Sequence, residues 1–437
     1  MRTKQPTNGT RWYRLAMLLL MTLATAPAQQ SQYDLLLKGG YVIDPRNGIS
    51  GRRDVAITGG VIAAVEESID ASRAVRTVDV SELYITPGLV DLHVHVFSTT
   101  NIPDAWAGDN SLQPDVNLLP SGVTTAVDAG SSGWRNFEFF RHTVIDKPNV
   151  QTRILALINI AGLGMITDLP EQGDFNAEEV ARLAAKHKDV VVGVKSAHYQ
   201  LPDWKSVDEA LKAGTTANIP VMVDFGFFLP ERPFYELVLE RLRPGDMPTH
   251  VFRGPVPWVD ANGKLYDYLS QARDRGIKFD VGHGGGSFVF RSAVPAVQQG
   301  FYPDSISTDL HVGSAMGGMM DMQTTMSKFL AMGMPLDAVI EASTWNPAQQ
   351  IHREELGHLT PGAVADIAGF RILEGRHRYR DASNGVLEGP QRLFCELTLR
   401  AGRIVWDWNS VVGVDYESLP PEYGVREGVD QIIPPPQ

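Results

Sequence analysis

The chain has 437 residues, with 39 lysines and arginines against 51 aspartates and glutamates, a formal net charge of −12. That acidic balance excludes a protein that grips nucleic acid by neutralising phosphates, and leaves a small-molecule substrate as the expected partner. The single cysteine, Cys395, excludes a disulfide within the chain and any CxxC site; its setting, QRLFCELTLR, marks it as a buried apolar residue of a strand.

Residues 1–28 read as a signal peptide. Arg2, Lys4, Arg11 and Arg14 make a basic start, LAMLLLMTLATA a short apolar stretch, and Ala26-Pro27-Ala28 a small-residue cleavage site. The apolar stretch is too short for a comfortable span. The mature protein is therefore expected to be secreted or periplasmic, with no stable membrane span. Its balance would be 35 basic against 51 acidic residues, or −16.

Residues 33–84 form short β-rich segments punctuated by Gly, Asn and Pro. Similar material returns in GAVADIAGFRI (362–372) and FCELTLRAGRIVWD (394–407). Neither set buries a large core alone, which predicts one small β-sandwich-like domain, 33–84 plus 362–410, built from both chain ends. Between them, residues 85–361 alternate strand and helix. ITPGLVDLHVHVF (85–97) is the first strand unit. SGVTTAVDAG (121–130), TRILALINIAG (152–162), DVVVGVKSAH (189–198), NIPVMVDFG (218–226), MPTHVF (247–252), IKFDVGHGG (277–285) and SISTDLH (305–311) supply seven more. FNAEEVARLAAKHK (175–188) and VDEALKAGTTA (207–217) read as intervening helices. The fold class is thus α/β: a (β/α)8 TIM-like barrel, whose chemistry belongs at the C-terminal ends of its strands. An open doubly wound sheet is the alternative, but GHGGGS (282–287) is neither GxGxxG nor a P-loop. Residues 411–437 form a C-terminal tail.

The polar residues that end these apolar runs carry the chemistry. His93 and His95 are two apart, so in a strand both imidazoles project from one face, as a metal chelate requires. Lys195, His250, His283 and Asp309 each follow or end a further run, and together they point to a metallohydrolase. Other readings stand beside this one. His250 is read alternatively as a core histidine, Asp309 as a helix N-cap near SAMGG, and Lys195 as a surface lysine. His283 either contacts the substrate or orients another ligand from behind. His198 and His311 line the pocket or sit in solvated loops, and Asp128 in VDAG belongs to a turn. Trp106, Trp134, Phe227, Phe228 and Trp258 lie in loops near strand ends, as pocket lining or as loop packing. Seven methionines between 316 and 334 read as packing after the last strand rather than as a copper site.

PGLVDLHVH resembles the first-strand motif of the amidohydrolase superfamily, and VVGVKSAH, GDMPTHVFRG, FDVGHGGGSF and ISTDLH resemble its deacetylase or dihydroorotase-like branch. The resemblance spans roughly residues 33–410. It implies two divalent metal ions, zinc or manganese. His93 and His95 would hold one ion, His250 the other, and Asp309 would bind the first while acting as proton acceptor. Lys195 would be N6-carboxylated and bridge the pair. The branch carries a histidine where this chain has Asp224, so Asp224 is expected to replace it as a ligand or to leave the second site weak. The implied enzyme cleaves a carbon–nitrogen (non-peptide) or carboxylic ester bond, N-acyl, O-acyl or cyclic amide, of a small organic substrate through a metal-bridging hydroxide. The alternatives are a single-metal hydrolase or deaminase, and a catalytically silent binding protein. A homo-oligomer is compatible with the sequence.

Overall fold

The computed structural model describes residues 31–97, 111–165, 174–431 and 433. The expected signal peptide and Trp106 lie outside them. The chain enters through Tyr33–Asp44 (β1), Ile49–Thr58 (β2), Val61–Glu66 (β3), Ala74–Asp79 (β4) and Tyr84–Pro87 (β5). It continues through Leu89–Val94 (β6), Val123–Gly133 (β7), Arg153–Asn159 (β8), Val191–Ser196 (β9), Val221–Asp224 (β10) and Met247–Thr249 (β11). It closes with Ile367–Arg380 (β12), Val386–Arg400 (β13) and Arg403–Asp407 (β14).

Two sheets result. An eight-stranded mixed sheet runs β14-β13-β12-β5-β1-β2-β3, with β4 beside β1. The two chain ends meet at the antiparallel pairing of β5 with β12, where Ile85 faces Gly369. The second sheet is parallel, β6 to β11 in sequence order. Every position of β6, β7, β9, β10 and β11 is buried, as expected of parallel strands covered on both faces. Only Gly88 separates β5 from β6. A Cβ there would come within 2.2 Å of Thr124 Oγ1, so a glycine is required where the chain passes from one sheet to the other.

The two remaining expected units, 277–285 and 305–311, run as extended segments rather than strands. Asp280 and Ser305 form a parallel bridge, and so do Val94 and Leu310. Asp280 N donates to Pro248 O (3.1 Å) and His95 N to Leu310 O (2.9 Å). The parallel sheet is thereby curled into a partial barrel, with 305–310 returning to β6. Gly282, Gly284, Gly285 and Gly286 break the regular ladder here, because strand interiors need side chains to pack.

The helices outside the sheet follow their sequence signals. Ala177–Lys186 has Asn176 as N-cap, whose side chain accepts Glu179 N, with Glu178 and Glu179 in its first turn and Lys186 in its last. It buries Val180, Leu183 and Ala184. Five of the seven methionines, 319, 322, 326, 332 and 334, are buried, while Met316 and Met320 are exposed. Cys395 is also buried. Among the described residues no helix is long and apolar enough to cross a membrane.

Candidate metal centre

The side chains singled out from the sequence gather at the C-terminal ends of the parallel strands. His93 lies near the end of β6 and His95 just beyond it; Lys195 is next to last in β9, Asp224 is last in β10, and His250 directly follows β11. Asp309 sits on the returning segment. His93, His250 and Asp309 each offer a ligand atom, and the three atoms lie within 4.8 Å of one another.

Hydrogen bonds behind the two histidines fix their tautomers. Thr249 Oγ1 gives its only proton to Asp280 Oδ2 at 2.6 Å, so at 3.1 Å it accepts Nδ1–H of His93. His250 Nδ1 faces the carbonyl of Gly282 at 2.5 Å, which can only accept. Both imidazoles therefore turn Nε2 toward Asp309 and the cavity. Burial, with Lys195 beside it, holds His93 well below the ordinary imidazole range, keeping it neutral as a ligand must be. Burial alone would raise Asp309, but the surrounding histidines outweigh it and keep the carboxylate ionised. Burial would lower His250, but Asp224 beside it raises it, so a cation there competes with a proton on His250. Two imidazoles and one carboxylate fit a divalent cation.

A second layer holds this arrangement. Asp280 accepts from Thr249, Ser305 and Ser307, and Asp91 accepts Thr308 Oγ1 at 2.5 Å and His93 N at 3.1 Å. Burial pushes Asp91 up to about 7. Asp128 accepts Val96 N and Ser131 N, a turn role that also sets the loop carrying His95. His95 is outside the trio: its Nε2 lies 3.1 Å from Asp309 Oδ1 and its Nδ1 2.8 Å from Ser131 Oγ. The sequence reading missed Asp91, Thr249 and Asp280. The signal was available in Asp91 and Asp280, lone carboxylates inside apolar runs.

The two-metal expectation is corrected by this geometry. Among the described residues only one group of three ligand atoms comes together. Asp224 Oδ2 lies 3.2 Å from His198 Nε2 and 3.3 Å from Nε2 of His250, a histidine that belongs to the trio, and Asp224 itself is not part of that group. Burial would raise its pKa, yet His250 and His198 hold it well below the usual carboxylate range. Lys195 Nζ lies 3.1 Å from His93 Nε2 and 3.5 Å from Met222 Sδ, contacts that bring it to one histidine of the trio and to no second group of ligands among the described residues. The bridging N6-carboxylysine at Lys195 and the second ion are thus withdrawn.

A cavity of about 370 Å³ opens on the trio, lined by His95, His198, Asp224, His250, Asp309 and His311 among others, including Phe227. His283 is buried behind it. Its Nδ1 donates to Gly284 O at 2.9 Å, its Nε2 accepts from Lys328 Nζ at 2.7 Å, and its ring stacks on Phe288 at 4.4 Å. A larger cavity of about 730 Å³, beside Trp258 and Phe290, contains none of the ligand residues. Phe228 and Trp134 are half-buried against the main core, and Trp258 is inside it.

Ligand-bearing loops at the C-terminal face of a curled parallel sheet, converging on two imidazoles and a carboxylate, define a metal-dependent hydrolase acting on a small organic substrate. A deacetylase of Brucella anthropi is 35% identical over 348 residues, covering 77% of this chain and 83% of that protein. A profile of the amidohydrolase family matches residues 290–389. The crystal structure of an adenine deaminase superposes with a TM-score of 0.77 at 29% identity, over 85% of this chain and 99% of that one. That of a dihydroorotase gives 0.75 at 30%, with the same coverage. The chain belongs to the amidohydrolase superfamily.

Proposed function

We propose that the protein is a single-metal hydrolase that removes an acyl group from a small organic substrate by cleaving an amide or ester bond. The observation that carries this reading is the single trio of His93, His250 and Asp309. The acyl specificity is supported by similarity to a deacetylase over most of both chains. Two imidazoles and a carboxylate are the donor set of hydrolytic zinc sites, with a further position open to water or substrate. A divalent ion held there supplies Lewis acidity, polarising a carbonyl and making water acidic enough to attack near neutral pH. Asp309, ionised at the centre of the site, accepts the proton of the attacking water. His95 orients its Oδ1. Asp224 and His198, paired at 3.2 Å on the cavity wall, deliver a proton to the leaving group. His283 positions the Gly282–Gly284 loop rather than touching substrate. The leader-like residues 1–28 support export.

Deamination is the second reading, favoured by the adenine deaminase superposition. Both readings are tested by assaying the metal-loaded protein against N-acetyl and O-acetyl compounds, and against adenine by ammonia release. Turnover of an acyl compound, lowered about 10²- to 10⁴-fold in Asp309→Asn, is the expected result. Ammonia from adenine with no acyl turnover would replace hydrolysis by deamination.

A further inference from the structure

Lys328, on the helix Met322–Ala331, is fully buried, yet among the described residues no carboxylate lies within ion-pair distance of its Nζ. Lysines are almost never fully buried unless paired with an acid. The two hydrogen bonds of this one go to neutral acceptors, His283 Nε2 at 2.7 Å and Gly318 O at 2.6 Å. Burying an amine costs free energy that a methionine of similar length would not incur. Packing alone therefore gives no reason for a lysine at this position.

The bond to His283 leads to the metal centre. Gly284 O can only accept, so His283 Nδ1 carries the ring proton and Nε2 offers a lone pair that Lys328 must fill. Burial, with Lys328 beside it, holds His283 well below the ordinary imidazole range, which keeps that lone pair free. The tripeptide Gly282–Gly284 touches two of the three metal ligands. Gly282 O accepts His250 Nδ1 at 2.5 Å, and Gly284 packs so closely on Asp309 that a Cβ would stand 2.3 Å from Oδ2. A turn of the His283 ring would move the backbone against both.

The other end of Lys328 is fixed to the chain-end sheet. On its helix, Ser327 Oγ accepts Leu393 N at 3.0 Å and Gln323 Oε1 accepts Cys395 N at 2.6 Å, both from β13. Gly318 lies against the carbonyls of Arg380 and Asp381, where a Cβ would come within 2.8 Å of each. We propose that Lys328 is a positioning residue of the metal centre. By donating to His283 it ties the Gly282–Gly284 loop, and with it His250 and Asp309, to the helix Met322–Ala331 and the chain-end sheet. Partners behind the ligands orient them and tune metal affinity. This role rests on the trio as the metal centre and not on which bond is cleaved.

The test is cobalt(II) binding to the full chain, read by competition with a chelator and by the visible absorption of the bound ion, which reports ligand geometry. Lys328→Met and His283→Asn break the Lys328–His283 bond from its two ends. Each should weaken cobalt binding about 10-fold, the lower end of what outer partners contribute, and shift the absorption bands. The double variant should bind about as well as either single one, because all three lose the same bond. Met326→Ala, which opens a cavity on the same helix without touching that bond, should lower stability and leave the spectrum as in the parent. Parent affinity and spectrum in His283→Asn would overturn the proposal, even if Lys328→Met failed to fold. So would losses that multiply in the double variant, or a spectrum shifted equally by Met326→Ala. No cobalt bound by the parent would remove the metal centre itself, and this role with it.

Discussion

At the residue scale the centre is built on backbone that most side chains avoid. His198, His250 and Asp309 have φ of 54°, 60° and 50°, in the left-handed region. Such conformations cost on the order of 1 kcal/mol each and persist where the surroundings enforce them. Here the hydrogen bonds behind each side chain do so. Lys328 is a second costly residue, fully buried on the helix Met322–Ala331, with Nζ 2.7 Å from His283 Nε2 and 2.6 Å from Gly318 O. Burial pushes its pKa down to about 7, against the pull of Asp381 and Asp321. An unfolded lysine titrates near about 10.4. Below about 7 both states carry the proton and stability has no slope from this group. Between about 7 and 10 the unfolded chain holds a proton that the folded chain has lost, so stability rises with pH, by at most about 1.4 kcal/mol per unit. Urea unfolding of the parent and Lys328→Met at pH 6.5, 8 and 9.5 should show the parent gaining on the variant across both intervals. A constant difference would contradict a depressed lysine.

At the element scale the loop after residue 281 decides the geometry of Asp309. Gly284 has φ of 54°, and a Cβ there would stand 2.3 Å from Asp309 Oδ2. Gly284→Ala is expected to displace that carboxylate and weaken metal binding about 10-fold or more, while helical content by circular dichroism is retained. Unchanged affinity would show that the loop has room to yield. The strands themselves were legible, because unbroken apolar runs such as RILALIN and VVGVKS signal strands buried on both faces. The last two units lost their ladder to polar and glycine content that serves the site. What each run ended in was legible too, since a histidine, lysine or aspartate after such a run has little structural reason to be there. Arg253, which lines the cavity, and Lys328 were not singled out. Arg253 directly follows the run MPTHVF, where His250 carried the reading, and the burial of Lys328 becomes evident only once the helix is packed.

At the scale of the whole molecule the two sheets share a core. Ile43, Ala368, Phe370, Leu393 and Cys395 of the mixed sheet belong to the same apolar cluster as Val191, Val221 and Phe252. Asp366, just before β12, binds Arg153 of β8 at 2.7 Å and Arg400 of β13 at 3.1 Å. The chain-end sheet thereby braces the sheet that carries the site. Its construction from both termini could be inferred from the sequence, because neither half has enough apolar residues to stand alone. Metal count was a different matter. It depended on which neighbours Asp224 and Lys195 meet in three dimensions, and those are His198, His250 and His93.

The most direct test is elemental analysis of the purified protein, prepared without chelators, beside His93→Ala, Asp309→Ala and Asp224→Ala. The His93, His250 and Asp309 trio predicts about one divalent ion per chain, lost in the first two variants and retained in Asp224→Ala. Two ions per chain, falling to one in Asp224→Ala, would contradict the single-metal centre.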